Sequence, residues 1–238
     1  PNTVFVRQIP SGGEWRSQRG ADSPPRPRRH MPVRPDIMPD LVTSLPLLAL
    51  TAVLGYLLGA VPFGIVCARR FGWGDLRKIG SGNIGATNVL RTGHKPAAAL
   101  TLIGDVGKGA FAVLLARTLL AEDAAQLAGF AAYLGHCFPV YLGFRGGKGV
   151  ATWLGTALAI AWPVGLAAAV TWLAVAALFR MSSLAGLSAA ALTPVWAIAL
   201  GFPAILVLAV ALAVLIFIRH HQNIVRLLRG QEPKIGKK

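Results

Sequence analysis

From Leu41 to Cys67 the chain reads LVTSLPLLALTAVLGYLLGAVPFGIVC, a run without a single charged side chain. A helix needs about 20 apolar residues to cross roughly 30 Å of hydrocarbon, so this run is long enough to span a bilayer and too long for the apolar region of a signal peptide. Beyond it, as far as Ile218, further apolar runs alternate with short polar segments. Spans are expected at about 41–67, 97–120, 124–142, 148–161, 163–179, 182–200 and 203–218. The stretch from Gly149 to Phe179 is too long for one crossing, and Trp162-Pro163 in its middle marks a turn between two short helices. The predicted fold is an all-α polytopic integral membrane protein with about seven transmembrane helices.

Composition agrees. Of 238 residues 54% are hydrophobic and only 14% charged, whereas a soluble domain carries about 25% charged residues. The net charge of +15, from 24 Lys and Arg against 9 Asp and Glu, would by itself suit either nucleic acid or anionic lipid. Its position between apolar runs selects membrane lipid as partner and excludes nucleic acid. Cys67 and Cys137 sit in or beside apolar segments, as small hydrophobic residues do, and outline no disulfide framework.

Residues 1–40 have a different character, with seven Arg, many Pro and Ser, and no periodic apolar face. They are expected to form a disordered basic extension to a membrane domain at 41–238. Met38, just ahead of the first apolar run, is the expected start of the functional chain; N-terminal sequencing that found the Arg-rich segment in native protein would refute this. With seven spans, Arg69, Arg70, Arg77 and Lys78, then Arg91 and Lys95, Arg145 and Lys148, Arg180 and the basic tail from Arg219 all fall on one face. The opposite turns carry Glu122 and Asp123, with Arg117 as the exception. The positive-inside rule makes the basic face cytoplasmic, with the N-terminus out and the C-terminus in.

Three polar segments on that face hold more Gly, Asn, His and cation than a connector needs. In the first, Gly80, Gly82 and Gly85 satisfy GxGxxG, but they follow a membrane helix rather than a strand, so a dinucleotide site is rejected. Free backbone amides, the Ser81 hydroxyl, the Asn83 and Asn88 amides and the Arg91 guanidinium suit a phosphate; an interfacial Gly-rich turn is the plainer reading. In the second, Gly146-Gly147-Lys148-Gly149 lacks the Walker spacing and the following Ser or Thr. A lysine among glycines at a helix start still favours an anion, though Arg145 and Lys148 also fit ordinary anchor charges. His136 in the same segment is of a kind that more often packs helices than catalyses.

The third segment, 219–238, is an amphipathic tail on which Ile224, Leu227 and Leu228 share a face. Anchoring explains its charges but not His220 and Asn223, three residues apart and therefore on one side of a helix at the membrane boundary. Separately, Asp105 and Lys108 place two charges one turn apart within the second span. Such residues are functional candidates by default, and a self-neutralising pair that holds helices together is the competing account.

In order and content the segments GSGNIGATNVLR (80–91), GHCFPVYLGFRGGKGVAT (135–152) and RHHQNIVRLLRGQE (219–232) resemble the bacterial acyl-phosphate:glycerol-3-phosphate acyltransferase family, PlsY. The resemblance runs from about Leu41 to Glu232. It implies transfer of a fatty acyl group from acyl phosphate to the 1-hydroxyl of glycerol 3-phosphate, giving lysophosphatidic acid, in the bacterial inner membrane with the active site facing the cytoplasm. Carried over by motif, Ser81, Arg91 and Lys148 would bind phosphate groups, and His220 and Asn223 would line the glycerol site. Gly82, Asn83, Asn88, His136, Gly146, Gly147 and Glu232 would assist binding. In this family a substrate phosphate has been proposed to accept the hydroxyl proton.

Elementary chemistry is compatible with this. An acyl phosphate carries its own leaving group, so the protein must mainly stabilise negative charge and hold two anions close together. None of the five histidines is followed by Asp at the spacing used by the other class of glycerol-phosphate acyltransferases. The residues show no carboxylate or Cys/His cluster of metal-ligand spacing, and no cofactor is expected. The rival from another class is a transporter for a small organic anion, but its binding groups would lie near the midplane in repeated halves. Here they crowd one face, and no repeat is present.

Overall fold

The computed structural model describes residues 36–72, 75–78 and 82–236. The basic segment expected to be disordered therefore lies, through residue 35, outside the described residues, as does Ser81. The first apolar run folds as two helices, α1 (Leu45–Gly59) and α2 (Phe63–Arg70). Pro62 separates them: it has no N–H to donate and disfavours helical geometry at Val61 before it. Next comes the short α3 (Ala86–Arg91), then α4 (Lys95–Leu119), which begins with Lys95-Pro96 and continues through Asp105 and Lys108 without a break. The remaining helices are α5 (Glu122–Cys137), α6 (Val150–Ile160), α7 (Trp162–Phe179), α8 (Ser182–Ala199), α9 (Leu206–Arg219) and α10 (His221–Leu228). Among the described residues there is no strand.

Helices occupy each of the seven expected segments, and α6 and α7 part at Ala161, beside the Trp162-Pro163 pair. Among the described residues four stretches are long and apolar enough to cross a bilayer: Leu45–Arg70, Lys95–Leu119, Trp162–Phe179 and Ser182–Ala199. The pair Pro203–Arg219 and His221–Leu228, bent by 65°, makes a fifth if it is counted as one span. α5, with 16 residues, and α6, with 11, are shorter than this. At about 1.5 Å per residue they reach less far than α4.

α5 lies against α1 and α4, α6 against α4 and α7, and α8 between α7 and α9. Close approach depends on small residues, as it must where lipid supplies no hydrophobic drive between helices. A Cβ on Gly59 of α1 would overlap the backbone of Ala132 on α5, and one on Gly155 of α6 would overlap the Val106 carbonyl on α4. The larger apolar cluster centres on Trp153, Tyr133, Val164, Leu212 and Ile216. Outward faces carry Ile103, Leu119 and Leu178, each more than 60% exposed. Apolar surface of that kind on so many helices belongs in lipid.

The end of α5 opposite His136 is closed by polar contacts. Asp123 accepts the backbone N–H groups of Val42 and Thr43 at 3.0 and 2.8 Å and the Thr43 hydroxyl at 2.7 Å. The Ile37 carbonyl accepts from Val207 N at 3.2 Å. Residues 36–44 are thus docked onto the membrane helices. Arg117, the exception to the charge pattern, has a local explanation. It pairs with Glu122 at 2.8 Å and donates to the Ala159 and Ile160 carbonyls that end α6, where cations are favoured and orphan carbonyls need donors.

Candidate active site

At the other end of the bundle the three polar segments meet around a cavity of about 540 Å³. From the first segment come Asn83, Asn88 and Arg91; from the second, His136 and Lys148; from the third, His220, Asn223 and Glu232. Gly82, Gly146 and Gly147 do not line it. A wall including Leu102, Val150, Leu154, Trp172 and Leu173 gives the same cavity an apolar flank. One space thus offers cations and amides beside hydrocarbon.

Lys148 is the centre of the polar part. It sits in the loop ahead of α6, where its Nζ donates to Asn223 Oδ1 at 2.5 Å. Asn223 Nδ2 donates in turn to Glu232 Oε1 at 2.6 Å, and the Ser183 hydroxyl donates to the same oxygen at 2.6 Å. Arg226 Nε holds the other carboxylate oxygen at 2.8 Å. Burial pulls the Lys148 ammonium down to about 8; the Glu232 charge opposes this, while Arg226, Arg91 and Arg219 add to it. Burial would raise the Glu232 carboxyl, yet the hydrogen bonds from Ser183, Asn223 and Arg226 hold it below its usual range.

The loop that presents Lys148 is tied down on every side. Gly146 N and Gly147 N donate to the Cys137 and His136 carbonyls at 3.2 and 3.1 Å, satisfying the end of α5. The Arg219 guanidinium donates to the Gly146 and Gly147 carbonyls, with its shortest bond 3.0 Å, and lies 5.0 Å from the Phe138 ring centroid. Gly149 has φ +79°, and a Cβ there would overlap the Tyr133 ring; the Tyr133 hydroxyl donates to the Lys148 carbonyl at 3.1 Å. Gly146 and Gly147 pack against His136 and Pro139 behind the lysine, which gives them a supporting place.

His220 lies at the junction of α9 and α10, 2% exposed. Its Nδ1 is 2.7 Å from the Ile216 carbonyl. A carbonyl can only accept, so Nδ1 carries the proton and Nε2 is left as an acceptor. Burial lowers its pKa to about 4, with the Ile216 bond opposing and Lys148 adding to the shift. The ring is therefore neutral near pH 7.

Asp105 also lines the cavity. Its carboxylate is 2.8 Å from Lys108 Nζ and 3.5 Å from His136 Nδ1. The two intramembrane charges thus neutralise each other, and His136 lies beside them. Ser183, Lys95 and Arg226 also line the cavity, and Arg219 ties down the Lys148 loop; the sequence marks none of them as site residues. The serine followed Arg180 at an apparent turn, and the cations passed as anchors. Among the described residues no group of His, Cys, Asp and Glu is arranged to hold a metal.

A family model described as glycerol-3-phosphate acyltransferase matches residues 49–230. The chain belongs to the glycerol-3-phosphate acyltransferase family. It is 69% identical over 201 residues to the glycerol-3-phosphate acyltransferase of Jannaschia sp., covering 84% of this chain and 99% of that relative. A relative of the same description from Cereibacter sphaeroides is 64% identical, with 84% and 96% covered. Among solved structures, the glycerol 3-phosphate form of PlsY (YgiH), an integral membrane glycerol 3-phosphate acyltransferase, superposes with a TM-score of 0.75 at 38% identity. The match covers 79% of this chain and 96% of that one. Its lysophosphatidic acid form gives 0.74 at 37% identity, with 79% and 95% covered. The protein is an integral membrane acyltransferase of the PlsY type.

Within this family the cavity's chemistry has a simple sense. Lys148, Arg91 and the Asn88 and Asn223 amides line the polar part of the cavity, groups of the kind that pair with a phosphate and hydroxyls. An acyl chain needs hydrocarbon, met by the apolar flank. Cys137 is fully buried and Ser183 donates its hydroxyl to Glu232, so neither stands as a free nucleophile at the cavity wall.

Proposed function

We propose that the protein transfers a fatty acyl group from an acyl phosphate to the 1-hydroxyl of glycerol 3-phosphate, producing lysophosphatidic acid. The observation that carries this reading is the convergence of Lys148, Arg91, His220 and Asn223 on one cavity with an apolar flank. Attack by the hydroxyl on the acyl carbon expels inorganic phosphate, which leaves as a stable anion. Stabilising that charge and aligning two anionic substrates is work for cations and amides, with no covalent acyl-enzyme needed. Ser81, Arg91 and Lys148 take the phosphate groups, and His220 and Asn223 take the glycerol. Gly82, Asn83, Asn88, His136, Gly146, Gly147 and Glu232 shape and orient that site.

The topology proposed with it has seven crossings, the N-terminus outside and the C-terminus inside, in the bacterial inner membrane. Residues 41–238 are the membrane domain and 1–40 a basic extension. Arg91, Lys148 and Arg226 share the cavity, while Glu122 and Asp123 mark the opposite end of α5, in keeping with the positive-inside rule. This orientation puts the cavity on the side where soluble glycerol 3-phosphate is made. Cysteine labelling of single-Cys variants from either side of sealed vesicles tests it: labelling of position 231 from the periplasmic side refutes it.

The donor is tested by giving purified protein glycerol 3-phosphate with acyl phosphate or acyl-CoA in parallel and measuring lysophosphatidic acid. Product from acyl phosphate alone is expected. Product from acyl-CoA alone overturns the donor, and uptake of glycerol 3-phosphate into vesicles without conversion would replace the enzymatic reading with transport.

A further inference from the structure

The pair Asp105–Lys108 does more than cancel two charges. Among the described residues the carbonyl of Val61, at the break between α1 and α2, accepts no backbone hydrogen bond; it accepts from Lys108 Nζ at 2.8 Å. By disfavouring helical geometry at Val61, Pro62 leaves this acceptor without a backbone partner inside the apolar run, where an unpaired carbonyl is costly. Lys108 Nζ is also 5.9 Å from the centroid of Phe63, the first residue of α2, and Gly104 on α4 sits so close beneath that ring that a Cβ would overlap it. The next residue, Gly64, touches the carbonyl of Ile84, which would clash with any Cβ there. Ile84 leads directly into α3, whose Asn88 and Arg91 face the cavity.

A continuous set of contacts therefore runs from Asp105 and Lys108 through the break to the first polar segment. We propose that Asp105 and Lys108 are positioning residues for the acyltransferase. Lys108 anchors the α1–α2 break, Asp105 keeps the ammonium aimed at it, and α2 sets the place of α3 and hence of Arg91 and Asn88. The proposal rests on the reading of Arg91 as a phosphate ligand. Helix placement errors of about 1 Å at a site of this kind cost up to roughly 100-fold in rate.

The test compares Asp105→Asn/Lys108→Met, which removes both charges and the donor to Val61, with Asp105→Asn/Lys108→Gln, which keeps a neutral donor. Each is purified in detergent and assayed for equilibrium binding of radiolabelled glycerol 3-phosphate, for KM and kcat with the donor the wild type uses, and for Tm. The Met pair is expected to bind at least about tenfold more weakly, with KM raised accordingly, and the Gln pair to recover most of the affinity. A Met pair indistinguishable from wild type shows that the charges only neutralise each other and overturns the proposal. So do equal losses of Tm in both pairs with KM unchanged.

If the Met pair yields no folded protein, Gly64→Ala decides, because it leaves both charges in place and pushes α2 off Ile84. A raised KM supports the coupling and an unchanged KM overturns it. Arg91→Ala measured alongside separates the two readings: normal glycerol 3-phosphate binding there refutes the phosphate assignment, not the anchoring of Val61.

Discussion

Lys148 offers a test in which the magnitude follows from its surroundings. An ammonium near the ordinary lysine value would be charged throughout the usable pH range; at about 8 it is not. Roughly 90% is protonated at pH 7, about half at pH 8, about 10% at pH 9 and about 1% at pH 10. A substrate phosphate loses its second proton near pH 6, so above pH 7 the ligand's charge is constant and only the protein titrates. If Lys148 must be charged to hold that phosphate, kcat/KM falls with unit slope above pH 8, by about tenfold from pH 7 to 9 and about 100-fold from pH 7 to 10.

Stability moves the other way, which separates titration of the site from unfolding. The folded pKa of Lys148 lies below its unfolded value of 10.5. Between about 8 and 10.5 the unfolded chain therefore binds more protons, and the contribution of this residue to stability rises with pH across that window. The assay is lysophosphatidic acid formation from pH 6.5 to 10 at subsaturating glycerol 3-phosphate, with Tm recorded at each pH. Lys148→Arg, charged at every one of these values, should abolish the alkaline limb even where its absolute rate is low, because a guanidinium cannot reproduce a point-charge contact. A flat wild-type profile from pH 7 to 10 would refute the reasoning, as would an alkaline limb that survives in Lys148→Arg.

Arg91→Ala should lower kcat/KM by roughly 30- to 1,000-fold, the equivalent of about 2–4 kcal/mol of lost charge stabilisation, with Tm little changed; activity within threefold of wild type would count against it. Gly149→Ala requires a non-glycine at φ +79° and forces a methyl into the Tyr133 ring. It should lower both Tm and kcat/KM, the latter at least about tenfold, since the same residue seats Lys148; normal kinetics would show that the lysine does not depend on this turn. Arg117→Met leaves the Ala159 and Ile160 carbonyls without their donor, and should cost about 1–3 kcal/mol in stability with KM unaffected. Thermal melts together with KM decide that case, and a raised KM would contradict the separation of the two ends of α5.

Much of the fold was legible because its signals are local. Apolar runs locate helices, and Trp162-Pro163 parts α6 from α7. Pro62 carried the same kind of signal within the first run and was passed over, since the residues on both sides of it are equally apolar. The three polar segments were recognisable by content, yet their convergence depends on how helices of unequal length pack, which periodicity does not encode. Ser183 shows the limit well. Nothing in Met181-Ser182-Ser183 distinguishes it from an ordinary helix start, and its partner Glu232 is 49 residues away. Arg219 likewise read as an anchor, because its partners are the carbonyls of Gly146 and Gly147, and backbone acceptors leave no mark in a sequence. Asp105 and Lys108 were visible as a pair at i and i+3, but the third member, the Val61 carbonyl, exists only because of the kink.

On the proposed reaction, the electrostatics of the cavity also bear on where the hydroxyl proton goes. His220 Nε2 is an acceptor, but with a pKa of about 4 it is a weak base at neutral pH. A phosphate dianion, whose conjugate acid ionises near pH 6, is the stronger acceptor by about two units, or roughly 3 kcal/mol. Lys148 cannot serve while it is charged, and Glu232, held below its ordinary range by three donors, is also a weaker base than the phosphate. Each protein group in the cavity is therefore adjusted to donate or to orient, and the strongest base present arrives with the substrates. That division of labour accounts for a site with neither triad nor metal-ligand cluster among its described residues. It also favours an activated donor for the proposed reaction, since these groups supply alignment and charge stabilisation but no strong base.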